Sequence, residues 1–349
     1  MDASPPPTIK ESFGASCVTG RRFSNEDAHI VEPGIAAIAA AASATSLLAV
    51  FDGHGGAMAA ELARDGLVKH LRAQAGFEAA AAGGSAPQLA DALRLAFSSL
   101  DADILKKQAE RPRVAHMPRS DESGCTAVVV LTTPTHLICA NAGDSRACYV
   151  GPAGVVRALS EDHKPSNVGE RARIEAAGGT VSTNGRISGG LAVSRSMGDP
   201  HYKDRVDLPP EEQRVVAVPD VQVVARRPAE DEVVVVACDG IWDVFTNQEV
   251  GALLWEGLEL LVQCREEKQE KGVAVGRKHS RHSGGREAQW AQLLCNDLID
   301  IAFARGSTDN MTAVIRVSLT ATRNAGPKAQ VGSGDGQPAA VEAEAKRQE

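Results

Sequence analysis

The sequence predicts an α+β fold, with sheets packed together and helices outside. Three observations carry this. Aliphatic runs such as TAVVVL and VVVVAC are strand-length and apolar throughout, which suits strands covered on both faces. Leu89, Leu93, Phe97, Leu100 and Ile104 form a stripe with a period near 3.6, the mark of an amphipathic helix. Strands come in runs and helices in pairs, without the strict alternation of a parallel α/β sheet.

In chain order, residues 2–7 read as part of a disordered leader covering residues 1–10. The segment GIAAIAAAASATSLLAVF (34–51) reads as two strands joined by a small-residue turn. It is too rich in Ala, Ser and Thr for a membrane span. A helix over 57–74 follows the glycines of FDGHGG, and the Leu89–Ile104 stripe predicts a second. TAVVVL (126–131) and HLICANAG (136–143) are strands, and a short helix over 171–177 stops at Gly178-Gly179. Asn184-Gly185 supplies a hairpin turn between short strands. VVVVAC (233–238) is another buried strand. Thr246 and Glu249 have capping-box spacing for a helix carrying Leu253, Leu254, Leu258 and Leu261. The charged, glycine-containing segment 265–286 reads as an exposed insertion loop, and its RKHSRH is better explained by solvation than as a nuclear signal. A helix over 288–304 and the strand MTAVIRVSL (311–319) close the domain, 11–322. The Gly-, Ala-, Glu-, Lys- and Gln-rich remainder, 323–349, reads as a disordered tail.

Composition narrows the function. The chain has 349 residues, of which 43% are hydrophobic but only 3% aromatic, so the core is built from Val, Leu, Ile and Ala. A formal charge of -8 argues against nucleic acid as a partner, and no segment argues for a membrane. The seven cysteines show no CxxC pairing, and an odd number in scattered, mostly apolar contexts fits reduced thiols in the cytoplasm or nucleus. None has the Cys-x5-Arg spacing of a cysteine-dependent phosphatase. No Gly-Lys dipeptide exists, so a P-loop enzyme is excluded.

The chemistry lies at strand ends. SLLAVF runs into Asp52-Gly53, HLICANAG into Asp144, and VVVVAC into Asp239-Gly240 with Asp243 four residues on. Asp309-Asn310 precedes MTAVIRVSL, and Glu26-Asp27 sits in GRRFSNEDAH. Converging carboxylates repel one another and suffer desolvation, so divalent cations are the natural compensation. An all-oxygen set suits Mg²⁺ or Mn²⁺ better than zinc. A shared carboxylate such as Asp52 holds two ions about 4 Å apart, and these activate a bridging water for in-line attack on phosphorus. His54 is placed to protonate a leaving alkoxide, and Arg22 to hold phosphate oxygens in a bidentate fork.

GRRFSNEDAH, VFDGHGG, ESGCTAVVV, ANAGDSRA, LSEDHKP, GGLAVSRSMGD, VVVVACDGIWDV and STDNMTAVIRV together resemble the ordered motif series of the metal-dependent protein serine/threonine phosphatases (PPM family, type 2C). The series spans Phe13 to Leu319. The resemblance implies a central β-sandwich of two antiparallel sheets flanked by helical layers. It also implies a binuclear Mg²⁺ or Mn²⁺ site and a bridging hydroxide that attacks phosphoserine and phosphothreonine monoesters. In this reading Asp52 bridges both ions, Gly53 gives its carbonyl, and Asp239 and Asp309 bind the second ion. Glu26 and Asp27 order metal-bound waters, and Asp144 and Asp243 join Asp239 at a weaker third ion. Arg22 contacts phosphate and His54 is the general acid. Asp199, in SMGD at the end of a segment resembling the substrate-side flap (roughly 165–187), takes a supporting role. The implied partners are phosphorylated proteins, and a monomer is expected.

Two departures stand out. The flap lacks the tryptophan of the hormone-receptor-regulated plant members, and Cys125 replaces a common serine. A pseudophosphatase that only binds partners is the main alternative, but every matching position is filled. A haloacid-type reading of DADIL (101–105) fails, because Asp101 falls on the Leu89–Ile104 helical stripe instead of at a strand end and reads as helix surface.

Overall fold

A computed structural model describes residues 10–35, 45–83, 85–110, 122–188, 190–227, 230–270 and 289–320. The chain opens with β1 (Lys10–Val18), β2 (Ala28–Glu32), β3 (Ser46–Phe51) and the two-residue β4 (Gly53–His54). Helices α1 (Met58–Arg72), α2 (Phe77–Gly83) and α3 (Ala86–Glu110) follow. Next come β5 (Gly124–Cys125), β6 (Ala127–Thr132), β7 (His136–Ala142), β8 (Arg146–Val150) and β9 (Val156–Ala158). Then α4 (Val168–Ala176), β10 (Met197–Gly198), β11 (Asp220–Ala225) and β12 (Glu232–Ala237) lead to α5 (Asp239–Trp242), α6 (Asn247–Glu270), α7 (Trp290–Ala304) and β13 (Met311–Leu319).

Two five-stranded antiparallel sheets, ordered β1-β13-β12-β8-β9 and β11-β7-β6-β3-β2, form the sandwich. Period-two alternation explains why the central strands β3, β6 and β12 are apolar on both faces. Leu48, Val50, Val128 and Val130 point inward to meet Val234, Val236 and Val314 of the facing sheet. Leu47, Ala49, Phe51, Val129 and Leu131 point outward beneath α1, α2 and α3. Val233, Val235, Ala313 and Ile315 pack outward against Leu254 and Leu258 of α6 and Leu294 and Leu298 of α7. The fold is the α-β-β-α sandwich that the sequence implied.

Several expectations need correction. Residues 265–270, read as loop, continue α6, and Lys10, read as the end of the leader, opens β1 by pairing with Leu319. The rest of the 265–286 segment, residues 1–9 and the tail fall outside the described residues. Of the two strands read within 34–51, β3 is present and pairs with β2 upstream and with β6, and the chain between β2 and β3 is described only in part. The turn at Asn184-Gly185 closes a single bridge, Val181 to Ile187, instead of a hairpin of two strands. The Thr246 capping box is present: the Thr246 amide donates to Glu249 Oε2 at 2.8 Å, and the Glu249 amide donates to Thr246 Oγ1 at 3.2 Å. Among the described residues no helix is long and apolar enough to cross a membrane.

Register decides where the acids go. Phe51 pairs with Ala28, Ala127 with Ala142, Met311 with Val18, and Ala313 with Ala237. The carboxyl ends of β1, β3, β7 and β12 and the amino ends of β2, β6 and β13 therefore share one end of the sandwich.

Candidate metal centre

All the acidic residues picked out from strand ends meet there. Asp52 leaves β3 with its backbone fixed: its amide donates to Thr126 Oγ1 at 3.2 Å, and its carbonyl accepts from the Thr126 amide at 2.9 Å. Asp239 starts the single turn α5, whose Asp243 amide donates back to the Asp239 carbonyl at 2.8 Å, so both carboxylates share a face. The loop bearing Asp309 is tied to α5 by Ser307 Oγ, which donates to the Gly240 carbonyl at 2.7 Å. Asn310 ties it to the loop bearing Arg22 and Glu26. Its side-chain amide donates to the carbonyls of Thr19 and Ser24, both at 2.9 Å, and its oxygen accepts from the Glu26 amide at 2.9 Å. Gly53 passes so close to Glu26 that a Cβ would sit 2.1 Å from the Glu26 carbonyl oxygen, which only glycine avoids.

The electrostatics are those of acids crowded without enough counter-charge. Burial, then Asp239, Asp27 and Asp144, push the Asp52 carboxyl well above its ordinary range. Burial, then Asp144 and Asp243, push Asp239 up to about 7. Burial raises Asp27, with Asp309 adding to it against the pull of Thr312 and Cys238. Burial and Asp144 raise Asp243 against the pull of Lys164. Two cations intrude: Arg22 Nη2 donates to Asp309 Oδ2 at 2.5 Å, and the Lys164 ammonium pairs with Asp144.

These residues fit a divalent cation. Asp27 Oδ1 is buried without a hydrogen-bond partner, although its other oxygen accepts from Thr312 Oγ1 at 2.6 Å. Open buried acceptors occur elsewhere, Glu232 Oε2 among them, but this one lies in a crowd of carboxylates short of counter-charge, where a cation is the fitting partner. Asp27, Asp52 and Cys238 each place a ligand atom within 4.8 Å of the others. Cys238 is the buried thiol its apolar context predicts: its Sγ donates to the Asn310 carbonyl at 3.4 Å and accepts from the Thr312 amide at 3.1 Å. Burial pushes the thiol up, which leaves the two carboxylates as the ligands of this group.

His54 stands beside the acids on β4, with Nε2 2.8 Å from Asp199 Oδ2. Burial draws its basicity down, but Asp199, then Asp144 and Glu26, more than offset this and leave it raised. Glu26 also accepts from the Gly56 amide at 3.0 Å, fixing the start of the glycine loop. His163, read as structural, is: buried at 4% exposure, its Nδ1 accepts from the Gly143 amide and its Nε2 meets Asp220 at 3.1 Å. Helix α4, in the segment that the sequence reading likened to a flap, is anchored through Glu170, which pairs with Arg173 and Arg195, both at 2.8 Å.

The family model described as protein phosphatase 2C matches residues 11–311. A Homo sapiens protein named "Probable protein phosphatase 1N" is 38% identical over 306 residues, which are 87% of this chain and 60% of that one. The "Protein phosphatase 2C homolog 3" of Schizosaccharomyces pombe is 41% identical over 246 residues, 70% of this chain and 55% of that one. The chain thus spans little more than half the length of these relatives. Among solved structures, serine-threonine phosphatase 2C from Toxoplasma gondii shares the fold, with a TM-score of 0.65 at 21% identity, covering 90% of this chain and 100% of that one. A sandwich with acids gathered at one end and a family match over residues 11–311 lead to one conclusion: this chain belongs to the protein phosphatase 2C family.

Proposed function

We propose that the chain is a Mg²⁺- or Mn²⁺-dependent phosphatase that hydrolyses phosphoserine and phosphothreonine monoesters of proteins. The observation that carries this reading is the set of carboxylates pushed up in pKa by one another at one sandwich end, with His54 and Arg22 beside them. Asp52, Asp239 and Asp309, with the Gly53 carbonyl, would hold the ions; Glu26 and Asp27 would accept from coordinated waters, and Asp144 and Asp243 would serve a weaker third ion. Bound cations supply Lewis acidity and acidify coordinated water.

The chain's own residues do the rest. Arg22, exposed at the rim, offers a planar fork for two phosphate oxygens. Asp199 occupies Nε2 of His54, so Nδ1 carries the proton to the leaving alkoxide oxygen. The raised basicity of His54 favours the protonated form that this step needs.

With purified protein and a phosphothreonine peptide, phosphate release should require Mn²⁺ or Mg²⁺ and vanish in EDTA. Metal-independent turnover would overturn the mechanism. Metal binding without any turnover would favour the pseudophosphatase reading instead.

A further inference from the structure

Asp101 does not lie on the surface of α3, as its sequence context suggested. It is buried, with 7% of its surface exposed, and Lys203 Nζ donates to both its oxygens at 2.7 and 2.8 Å. The same ammonium donates to the Ser196 carbonyl at 2.9 Å, which uses all three of its hydrogens. Asp101 Oδ1 also accepts from the Gly198 amide at 2.8 Å. Both further partners belong to one short turn, 196–199.

That turn puts two successive residues in the left-handed region. Gly198 has φ +73° and Asp199, which carries a side chain, has φ +57°. Left-handed backbone at a non-glycine residue persists only where its surroundings over-determine it. On its far side the turn presents Asp199 Oδ2, which accepts from Ser196 Oγ and meets His54 Nε2 at 2.8 Å. Gly124 closes the contact, because a Cβ there would lie 2.1 Å from Asp199 Oδ2 and 2.5 Å from His54 Nε2.

We infer that Asp101 and Lys203 form a clamp that fixes the 196–199 turn so that Asp199 orients His54, making both of them positioning residues for the proton donor. A buried ion pair is often replaceable by apolar residues without loss of stability, so its value lies in the geometry it dictates. The clamp acts through Asp199 and is placed to touch neither phosphate nor metal. It rests on the reading of His54 as general acid.

The test uses Asp101→Asn/Lys203→Met, which removes both charges and keeps an acceptor for the Gly198 amide, beside His54→Ala and the combination of all three. Turnover is measured with Mn²⁺ on a phosphothreonine peptide, whose alkoxide needs a proton, and on p-nitrophenyl phosphate, whose leaving group does not. His54→Ala should lower kcat on the peptide by ~10²–10⁴-fold and change the aryl substrate little. The clamp variant should lower kcat on the peptide by ~10–100-fold with KM unchanged, spare the aryl substrate, and add nothing once His54 is absent. Equal loss on both substrates, or a further loss in the His54→Ala background, would overturn the clamp while leaving His54 as the acid. Equal slowing by His54→Ala itself would remove the general acid and the clamp with it. If the charge-free variant does not fold, Lys203→Arg, which keeps the charge but not the three-point contact, carries the same comparison and outcomes.

Discussion

The two ends of β12 handle buried charge in opposite ways. At its start, Glu232 is 1% exposed and accepts from Arg226 Nε at 2.8 Å and Arg316 Nη1 at 2.7 Å. Arg316, fully buried, pairs onward with Glu11. Two guanidinium groups face two carboxylates, so the network is neutral within the protein. Just past the other end, Asp239 joins Asp27, Asp52, Asp144, Asp243 and Asp309. Of the ion pairs among the described residues, those at this end reach only Asp144, through Lys164, and Asp309, through Arg22. Where the chain supplies its own counter-ions, burial makes a frame. Where it withholds them, burial leaves carboxylates crowded against one another, the set to which the proposed function assigns cations.

This contrast can be broken from either end. The largest stability effect is expected at the balanced one. Arg316→Met leaves Glu232 and Glu11 short of a partner and should cost about 3–5 kcal/mol in chemical denaturation. A cost below about 1 kcal/mol would mean that the network does not hold together the three strands it joins, β1, β12 and β13.

At the unbalanced end the sign reverses. The folded protein holds the Asp239 proton up to a pKa of about 7, against an ordinary value of 3.8. Its contribution to metal-free stability is therefore fully present below the ordinary value and lost as pH rises through about 7. Asp239→Asn should make metal-free protein more stable at pH 8, by ~1–2 kcal/mol, and flatten this part of the pH profile. The same change should weaken Mn²⁺ binding by more than ~100-fold. Destabilisation of the metal-free protein at pH 8 would contradict the account of charge crowding.

What was legible in the sequence follows the same division. Strands buried on both faces announce themselves by composition, so β3, β6, β7, β12 and β13 were readable, and so were the acids at their ends. The shorter or more polar β1, β2, β8, β9 and β11 gave no such run, and β4, β5 and β10 have two residues each, too few for any period. Pairings between distant residues were illegible. Nothing in DADIL shows that Lys203, 102 residues on, buries Asp101, or that Asp199 reaches His54 from 145 residues away. Arg316 was hidden inside an otherwise apolar strand, because its counter-ion Glu232 lies on a different strand. Local patterns record which face a residue takes; they do not record its partner.

The most direct test of the unbalanced end is calorimetric. Mn²⁺ titrated into the metal-free protein near pH 6, in buffers of differing ionisation enthalpy, should bind with release of protons, because carboxyls held protonated by crowding must ionise to become ligands. That release should decline as pH rises through about 7, the range to which Asp239 is pushed. Binding without proton release at pH 6, or no binding at all, would contradict the claim that cations supply the charge the protein withholds.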